Sequence, residues 1–488
     1  MAKRKRNSVV KTPNGSASVA SQKTKTCTPS TLNSPTIIQI VAGSYDRVLH
    51  GLTATISSND EVEFADTFLF NAHTTAIRCL ALSPPSAPVP KQQQKVILAS
   101  GSTDERINLY HISAHAPSYV TVPAIAGLSA KAVVENPQNK ELGSLLHHSS
   151  SVTALHFPNR SKLLSSAEDN TIAVTRTRDW SLLSAIKVPV PKSMGRPSGD
   201  TAPLGGAPSG VNDFAVHPSM KLMISVGKGE KSMRLWNLVT GKKAGVLNFE
   251  RDILNDVGEG KFTSGEGRKV AWGTINTGEE EFCVAFDKGA VVYGMDSMPK
   301  CKVVPQPRTT SQKWTKVHQL CYLTVGEKEN QLLAMSTEDG RILFYSTVPS
   351  DLADTPTEKG KEGGLASAKL VAIVDGKISK DTEKSIRIKD FTILRTGTGT
   401  LLIIAGRSDG ILELYKLSIT ELGFKEIGDD SLNVGKLLGS VKTGNRITCL
   451  QAFIMLPKFE GEDIEEDFEG FDEDDKEDEE ATSSSDDE

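Results

Sequence analysis

Gly406-Arg407-Ser408-Asp409-Gly410 has the spacing of a hydrolase nucleophile turn, in which a serine stands between two glycines. That chemistry needs the serine at a sharp strand-to-helix elbow. Here the segment Ile411-Leu-Glu-Leu-Tyr415 follows, which reads as a second strand. The match is therefore assigned to a hairpin turn. Gly258-Glu259-Gly260-Lys261 resembles half of a phosphate-binding loop, but the upstream glycine and the downstream Ser or Thr are missing. HExxH and EF-hand patterns are absent. The six cysteines, Cys27, Cys79, Cys283, Cys301, Cys321 and Cys449, form no CxxC pair, so they lack zinc-ligand spacing and are expected to be reduced and buried. His147 and His148 are adjacent, and one of them fits a structural hydrogen-bond network. No set of residues supplies a nucleophile, a base and an oxyanion site together. The expectation is a chain that is not an enzyme and needs no cofactor or metal.

The remaining residues with regular spacing are acids. A short apolar run ends in small residues, an acid follows, and a second apolar run carries an aromatic six positions after the acid. Asp104 precedes Tyr110, Glu230 precedes Trp236, Asp287 precedes Tyr293, Asp339 precedes Tyr345 and Asp409 precedes Tyr415. Two further copies have Asp169 with Thr175 and Asp46 with Leu52. These seven copies lie roughly 50–70 residues apart, longer than the usual WD40 period of about 40–45. Their runs are short and rich in Val, Ile and Leu, which favours strands. Each copy thus reads as a strand–turn–strand hairpin, and Asp46, Asp104, Asp169, Glu230, Asp287, Asp339 and Asp409 as structural turn residues. His73 and His148 stand where a histidine joins the turn acid in such repeats.

A further strand precedes six of the hairpins, as in AIRCLAL, SVTALHF, GVNDFAVH, KVAWG, KVHQLCYL and IKDFTIL. The first hairpin lacks one, and the segment Arg446–Leu456 at the other end of the chain is unused. The predicted fold is therefore all-β: a seven-bladed WD40-type β-propeller whose first blade joins strands from both chain ends. The connections 113–143, 189–210, 250–267 and 346–364 are long for hairpin links. They read equally as functional loops or as surface insertions.

Around this domain, placed at residues 36–459, lie two tails of opposite charge. Residues 1–35 hold Lys3, Arg4, Lys5, Arg6, Lys11, Lys23 and Lys25 and no acid. Lys3, Arg4, Lys5 and Arg6 read as a nuclear localisation cluster. From Phe459 to Glu488 there are 18 acids and one lysine, a net of −17, which leaves +12 on the rest of a chain whose total is −5. Both tails, 1–35 and 460–488, are expected to be disordered. Phe468 and Phe471 punctuate the acids as docking anchors, and a basic partner fits the charge. No apolar run is long enough for a membrane helix, and no membrane partner is expected.

The segments VAGSYDRVLHG, GSLLHHSSSVTALHFPNRSKLLSSAEDNTI, VHPSMKLMISVGKGEKSMRLWNLVTGKKA and NRITCLQAF resemble the PAK-interacting WD40 family, called Mak-eleven in yeasts. The resemblance spans most of residues 38–456. Blades 5 and 6 match poorly, and the acidic C-terminus departs from the basic tails of animal members. The resemblance implies a nucleolar scaffold for assembly of the large (60S) ribosomal subunit and pre-rRNA maturation. Its partners would be pre-60S particle proteins and rRNA, with a basic ribosomal-like protein on the acidic tail. Restraint of a PAK-type kinase is the alternative it also implies. A third reading is an unrelated adaptor, such as a ubiquitin-ligase substrate receptor.

Overall fold

The computed structural model describes residues 35–116, 136–191, 209–260, 263–274, 280–308, 313–325, 330–353, 364–375, 386–397, 399–422 and 432–458. Contacts divide the chain into residues 1–34, outside those described, and 35–488. The strands of the second unit form seven four-stranded antiparallel sheets, the seven blades of a propeller.

Blade 2 illustrates the plan, with β4 (Ile77–Leu82), β5 (Lys95–Ser102), β6 (Ile107–Ser113) and β7 (Lys140–Leu145) paired in that order. Blades 3 to 7 begin with β8 (Val152–Asn159), β12 (Val211–Val216), β16 (Lys269–Thr274), β20 (Val317–Val325) and β24 (Ile388–Arg395). Blade 1 is the exception in connectivity. Its order is β28 (Ile447–Ile454), β1 (Thr36–Ser44), β2 (Val48–Ile56) and β3 (Val62–Asn71). The strand expected within 446–456 thus completes the first blade from the far end of the chain, leaving no open sheet edge between blades 7 and 1.

The first strands β28, β4, β8, β12, β16, β20 and β24 neighbour one another in a closed ring about the axis. Second strands are buried on both faces because each blade is sandwiched between two others, as in β5 and in β25 (Thr400–Arg407). That two-sided burial explains their continuous apolar runs. The outermost strands face water, and β11 (Leu182–Lys187) buries only Ile186. Each of the seven hydrophobic clusters spans one pair of adjacent blades, from Leu80, Leu98 and Val41 between blades 1 and 2 to Ile404, Leu412 and Ile40 between blades 7 and 1. The core is therefore a circle of interfaces in which each blade is held by its neighbours.

The connection 250–267, read from sequence equally as a functional loop or a surface insertion, contains the helix α1 (Arg251–Asp256). Its Leu254 is buried against blades 4 and 5. Gly258, half of the apparent phosphate loop, ends that helix at φ 83°. Its amide donates to Asn255 O at 3.0 Å. A Cβ there would meet the Trp314 ring at 2.9 Å, so glycine is required by geometry and packing.

Candidate interaction site at the channel mouth

The turn acids and the heads of the inner strands lie at the same end of the propeller, since each inner strand begins beside the end of its second strand. The turn acids fall into two groups. In blades 2 and 3 they hold a histidine. His73 Nδ1 lies 3.1 Å from the Asp104 carboxylate, and its Nε2 lies 2.8 Å from Ser100 Oγ. Burial pushes the His73 pKa down. The neutral ring therefore donates from Nδ1 to Asp104 and accepts at Nε2 from Ser100. His148 repeats the arrangement with Asp169 at 3.2 Å and Ser165 at 2.8 Å. His148, not His147, is thus the network member. Thr175 replaces the aromatic of that blade, and its hydroxyl is buried without a partner.

Elsewhere arginine takes the place of histidine. Arg407 reaches Asp409 at 2.7 Å and also pairs with Glu413, which accepts from Tyr415 Oη at 2.7 Å. Asp339 is held by Arg341, Glu230 by Arg234 and Asp287 by Arg268 at 2.9 Å. Asp46 accepts from the Arg446 amide at 3.1 Å, which ties the first hairpin to the closing strand. The sequence reading missed these arginines, although they stand within four residues of the acid in blades 4, 6 and 7.

Ser408 sits in the β25–β26 turn before β26 (Ile411–Ser418), and its amide donates to Arg387 O at 2.9 Å. Gly410 follows at φ 83°, where a Cβ would meet Asn445 O at 2.5 Å. The hydrolase-like spacing is a turn that lets the next loop pass. Among the described residues, no group of three or more His, Cys, Asp or Glu is placed to hold a metal. Lys3, Arg4, Lys5, Arg6, Phe468, Phe471 and Cys27 lie outside the described residues.

A second regularity was not anticipated. The second residue of six inner strands is a β-bulge: Arg78, Thr153, Asn212, His318, Lys389 and Thr448. A bulge adds one residue to its strand and takes it out of the ladder. The neutral ones stitch the structure. Thr448 Oγ1 donates to Ile77 O at 2.6 Å and Asn212 Nδ2 to Gly267 O at 2.9 Å, each across to the next blade. The acids one position on do the same, with Asp213 accepting from the Val270 amide at 3.1 Å and Asp390 from the Leu450 amide at 2.8 Å. Burial raises the pKa of both carboxyls, and these amide donors oppose it.

The basic bulge residues gather cations. Burial first, and then Lys389, Arg387, Lys316 and Arg268, push His318 down to about 3. Lys389 is lowered by burial and by Arg387, Arg446 and Lys316, with Glu338 opposing. Blade 5, whose inner strand has no bulge, starts that strand with Lys269, 3.8 Å from Asp213. Between blades 1 and 2 the mouth opens into a cavity of about 670 Å³ lined by Tyr45, Arg47, Arg78 and Thr448 among others. Tyr45 is 60% exposed and the Arg446 guanidinium lies 5.7 Å from its ring centre. The result is an arc of cations over blades 5, 6, 7, 1 and 2. In it Arg268, Arg387 and Lys269 lie beside Asp287, Glu338 and Asp213, while Arg47, Arg78 and Arg446 stand near the exposed Tyr45, a surface on which anions can be held.

The WD domain, G-beta repeat family matches residues 139–174, the end of blade 2 and most of blade 3. Over longer spans the chain is similar to a p21-activated protein kinase-interacting protein 1-like protein of Danio rerio, at 23% identity over 85% of this chain and 80% of the relative. Protein MAK11 of Saccharomyces cerevisiae is 25% identical over 78% of each. The Shk1 kinase-binding protein 15 of Schizosaccharomyces pombe is 22% identical over 64% of this chain and 69% of its own length. With seven blades, a matching repeat and these relatives, the chain is a WD40 β-propeller similar over most of its length to the p21-activated protein kinase-interacting protein 1-like and MAK11 proteins.

Proposed function

We propose that this chain is a non-catalytic scaffold that acts in the nucleolus in assembly of the 60S subunit and maturation of its pre-rRNA. The observation that carries the reading is the cluster of cations at the channel mouth, with Lys389, Arg387, Lys316 and Arg268 around His318, Arg446 near Lys389, and Tyr45 exposed beside Arg446. Phosphates are drawn to such a cluster by charge, and an exposed aromatic offers a face on which a base stacks. The family resemblance carried by the blade-1, blade-3 and closing-strand segments supports the same reading. On it, the mouth meets rRNA, other surfaces meet pre-60S proteins, and residues 460–488 attract a basic ribosomal-like protein.

A second reading is restraint of a PAK-type kinase. It is favoured by the names of relatives, which describe proteins that interact with p21-activated and Shk1 kinases. The two readings separate on a sucrose gradient of cell extract followed by RNA crosslinking. The assembly reading expects co-migration with pre-60S particles and crosslinks to rRNA that fall sharply in a Lys389→Glu/Arg446→Glu variant of unchanged melting temperature. A chain that stays in the free fractions and recovers a kinase instead of rRNA overturns it.

A further inference from the structure

A groove of about 290 Å³ runs along the flank between blades 1 and 2. Its walls include Leu49, Phe68, Phe70, Leu98, Tyr110 and Ile112. Phe70 is 39% exposed, yet it packs edge-on against Tyr110 at 5.5 Å and lies 6.0 Å from Phe68. An apolar cavity of about 150 Å³ holds one benzene ring, so the groove has room for about two.

The last described residues of the chain leave beside this groove. Leu456 pairs with the segment after β6: its amide donates to Ala114 O at 2.8 Å, and its carbonyl accepts from Ala116 N at 3.1 Å. Pro457 O lies 2.8 Å from His115 Nδ1. Two residues back, the Ser113 amide donates at 3.1 Å to Asn139 Oδ1, and Asn139 lines the groove. The chain after Lys458 therefore starts at the groove's edge. It continues with Phe459, Ile464, Phe468 and Phe471 set among acids. Phe468 lies ten residues past Lys458, a reach of up to about 35 Å.

The charge at the groove is complementary. Lys140 lines it, and Lys95, Arg160 and Lys140 all act on His111 in its wall. Glu141 is the one acid among the described lining residues.

We infer that the acidic segment after Lys458 folds back onto the flank of its own propeller and seats Phe468 and Phe471 in the groove between blades 1 and 2. The lysines and Arg160 hold the flanking acids at the rim, and the aromatic rings supply the specificity that charge alone lacks. The inner strand β28 runs from the mouth at Ile447 to the opposite end at Ile454. Docking there keeps the tail's negative charge away from the cationic mouth, where it would otherwise compete for the same counter-charge. The inference holds whether or not the mouth binds RNA.

The test places a photo-crosslinker in the groove of the full chain with Glu141→p-benzoylphenylalanine. Crosslinked peptides are then identified by mass spectrometry across a dilution series. Intramolecular crosslinks to residues 459–488 are expected at every dilution. They should fall by about tenfold or more in a Phe468→Ser/Phe471→Ser variant and in a Phe70→Ser variant, as loss of an aromatic anchor should. Four results overturn the inference: crosslinks to 117–135 in place of the tail, crosslinks to a second copy that vanish on dilution, no crosslink to the tail, or tail crosslinks indifferent to the phenylalanine substitutions.

Discussion

Ile38, near the start of the propeller, lies directly opposite Ile454, near its end, on adjacent antiparallel strands. Six further residue pairs continue that ladder as far as Ser44 and Ile447. Leu450, fully buried within it, packs among Ile40, Ile404 and Leu412 of blades 1 and 7. Removing residues 446–456 is expected to expose an edge on β1 and unfasten the ring. Thermal unfolding should become broad and aggregation-prone. The milder Leu450→Ala should cost about 2–5 kcal/mol in denaturant titrations. A truncated chain with the parent's melting profile would refute the closure.

The turn acids should differ in weight according to what they hold. Asp104→Ala leaves the fully buried His73 side chain without its carboxylate partner. It is expected to lose about 1–3 kcal/mol, and Asp339→Ala or Asp409→Ala the lower part of that range. Asp409 is partly exposed and water can replace it, while Arg407 keeps Glu413 as a partner. Urea midpoints for the three variants give the order directly. Partner binding should survive in all three, and a stable but binding-dead Asp409→Ala would move that turn into the functional surface.

Stability should decline as pH falls below about 6.5. His318 is held near 3 in the folded chain, whereas its unfolded value is about 6.5. Between those values the unfolded chain binds a proton that the folded one refuses, so acid favours unfolding. His111, held near 4 by burial, acts in the same direction. Asp169 adds a lower window. Its folded value of about 2 lies below the ordinary 3.8, so its contribution is complete above about 4 and disappears as pH falls through 2. Unfolding free energies measured from pH 7 to 4.5 should show the decline, and His318→Gln should flatten part of it. An identical slope in that variant would show that His318 takes up its proton equally in both states.

Replacing Lys3, Arg4, Lys5 and Arg6 with Ala is expected to weaken nuclear and nucleolar accumulation of a fluorescent fusion without changing its melting temperature. Four adjacent cations, ahead of the first strand in the sequence, suit recognition by an acidic import receptor. Full nucleolar concentration of the variant would place the address elsewhere.

The propeller was legible because two-sided burial imprints a period on the sequence. Leu98 and Ala99, or Leu402 and Ile403, must be apolar in succession since blades press on both faces. The turn acids were legible for a related reason, since a tight turn restricts which residues can occupy it. The mouth was not. Arg78, His318 and Lys389 each look like an ordinary polar residue at a strand's head, and a bulge shows only once the register of both strands is fixed. The pattern was nevertheless present: Ile77-Arg78, Val152-Thr153, Val211-Asn212, Val317-His318, Ile388-Lys389 and Ile447-Thr448 each set a polar residue after a β-branched one. The arginines that replace histidine were illegible for a different reason. They reach the acid from either side of it, so they share no single spacing.

The bulge at the head of six of the inner strands also separates two demands that usually compete. Its side chain is excused from the ladder and from the apolar clusters, so replacing it disturbs neither. Most core positions have no such freedom, because a change there is felt by two blades at once. At the basic bulges of blades 2, 6 and 7, which make none of the cross-blade bonds of Thr448 and Asn212, the rim can therefore be rewritten from basic to neutral or acidic one blade at a time while the toroid stays intact. Two chains with the same propeller can in this way present opposite faces to their partners at little cost in folding, and the character of this ring must be read from each chain's own residues.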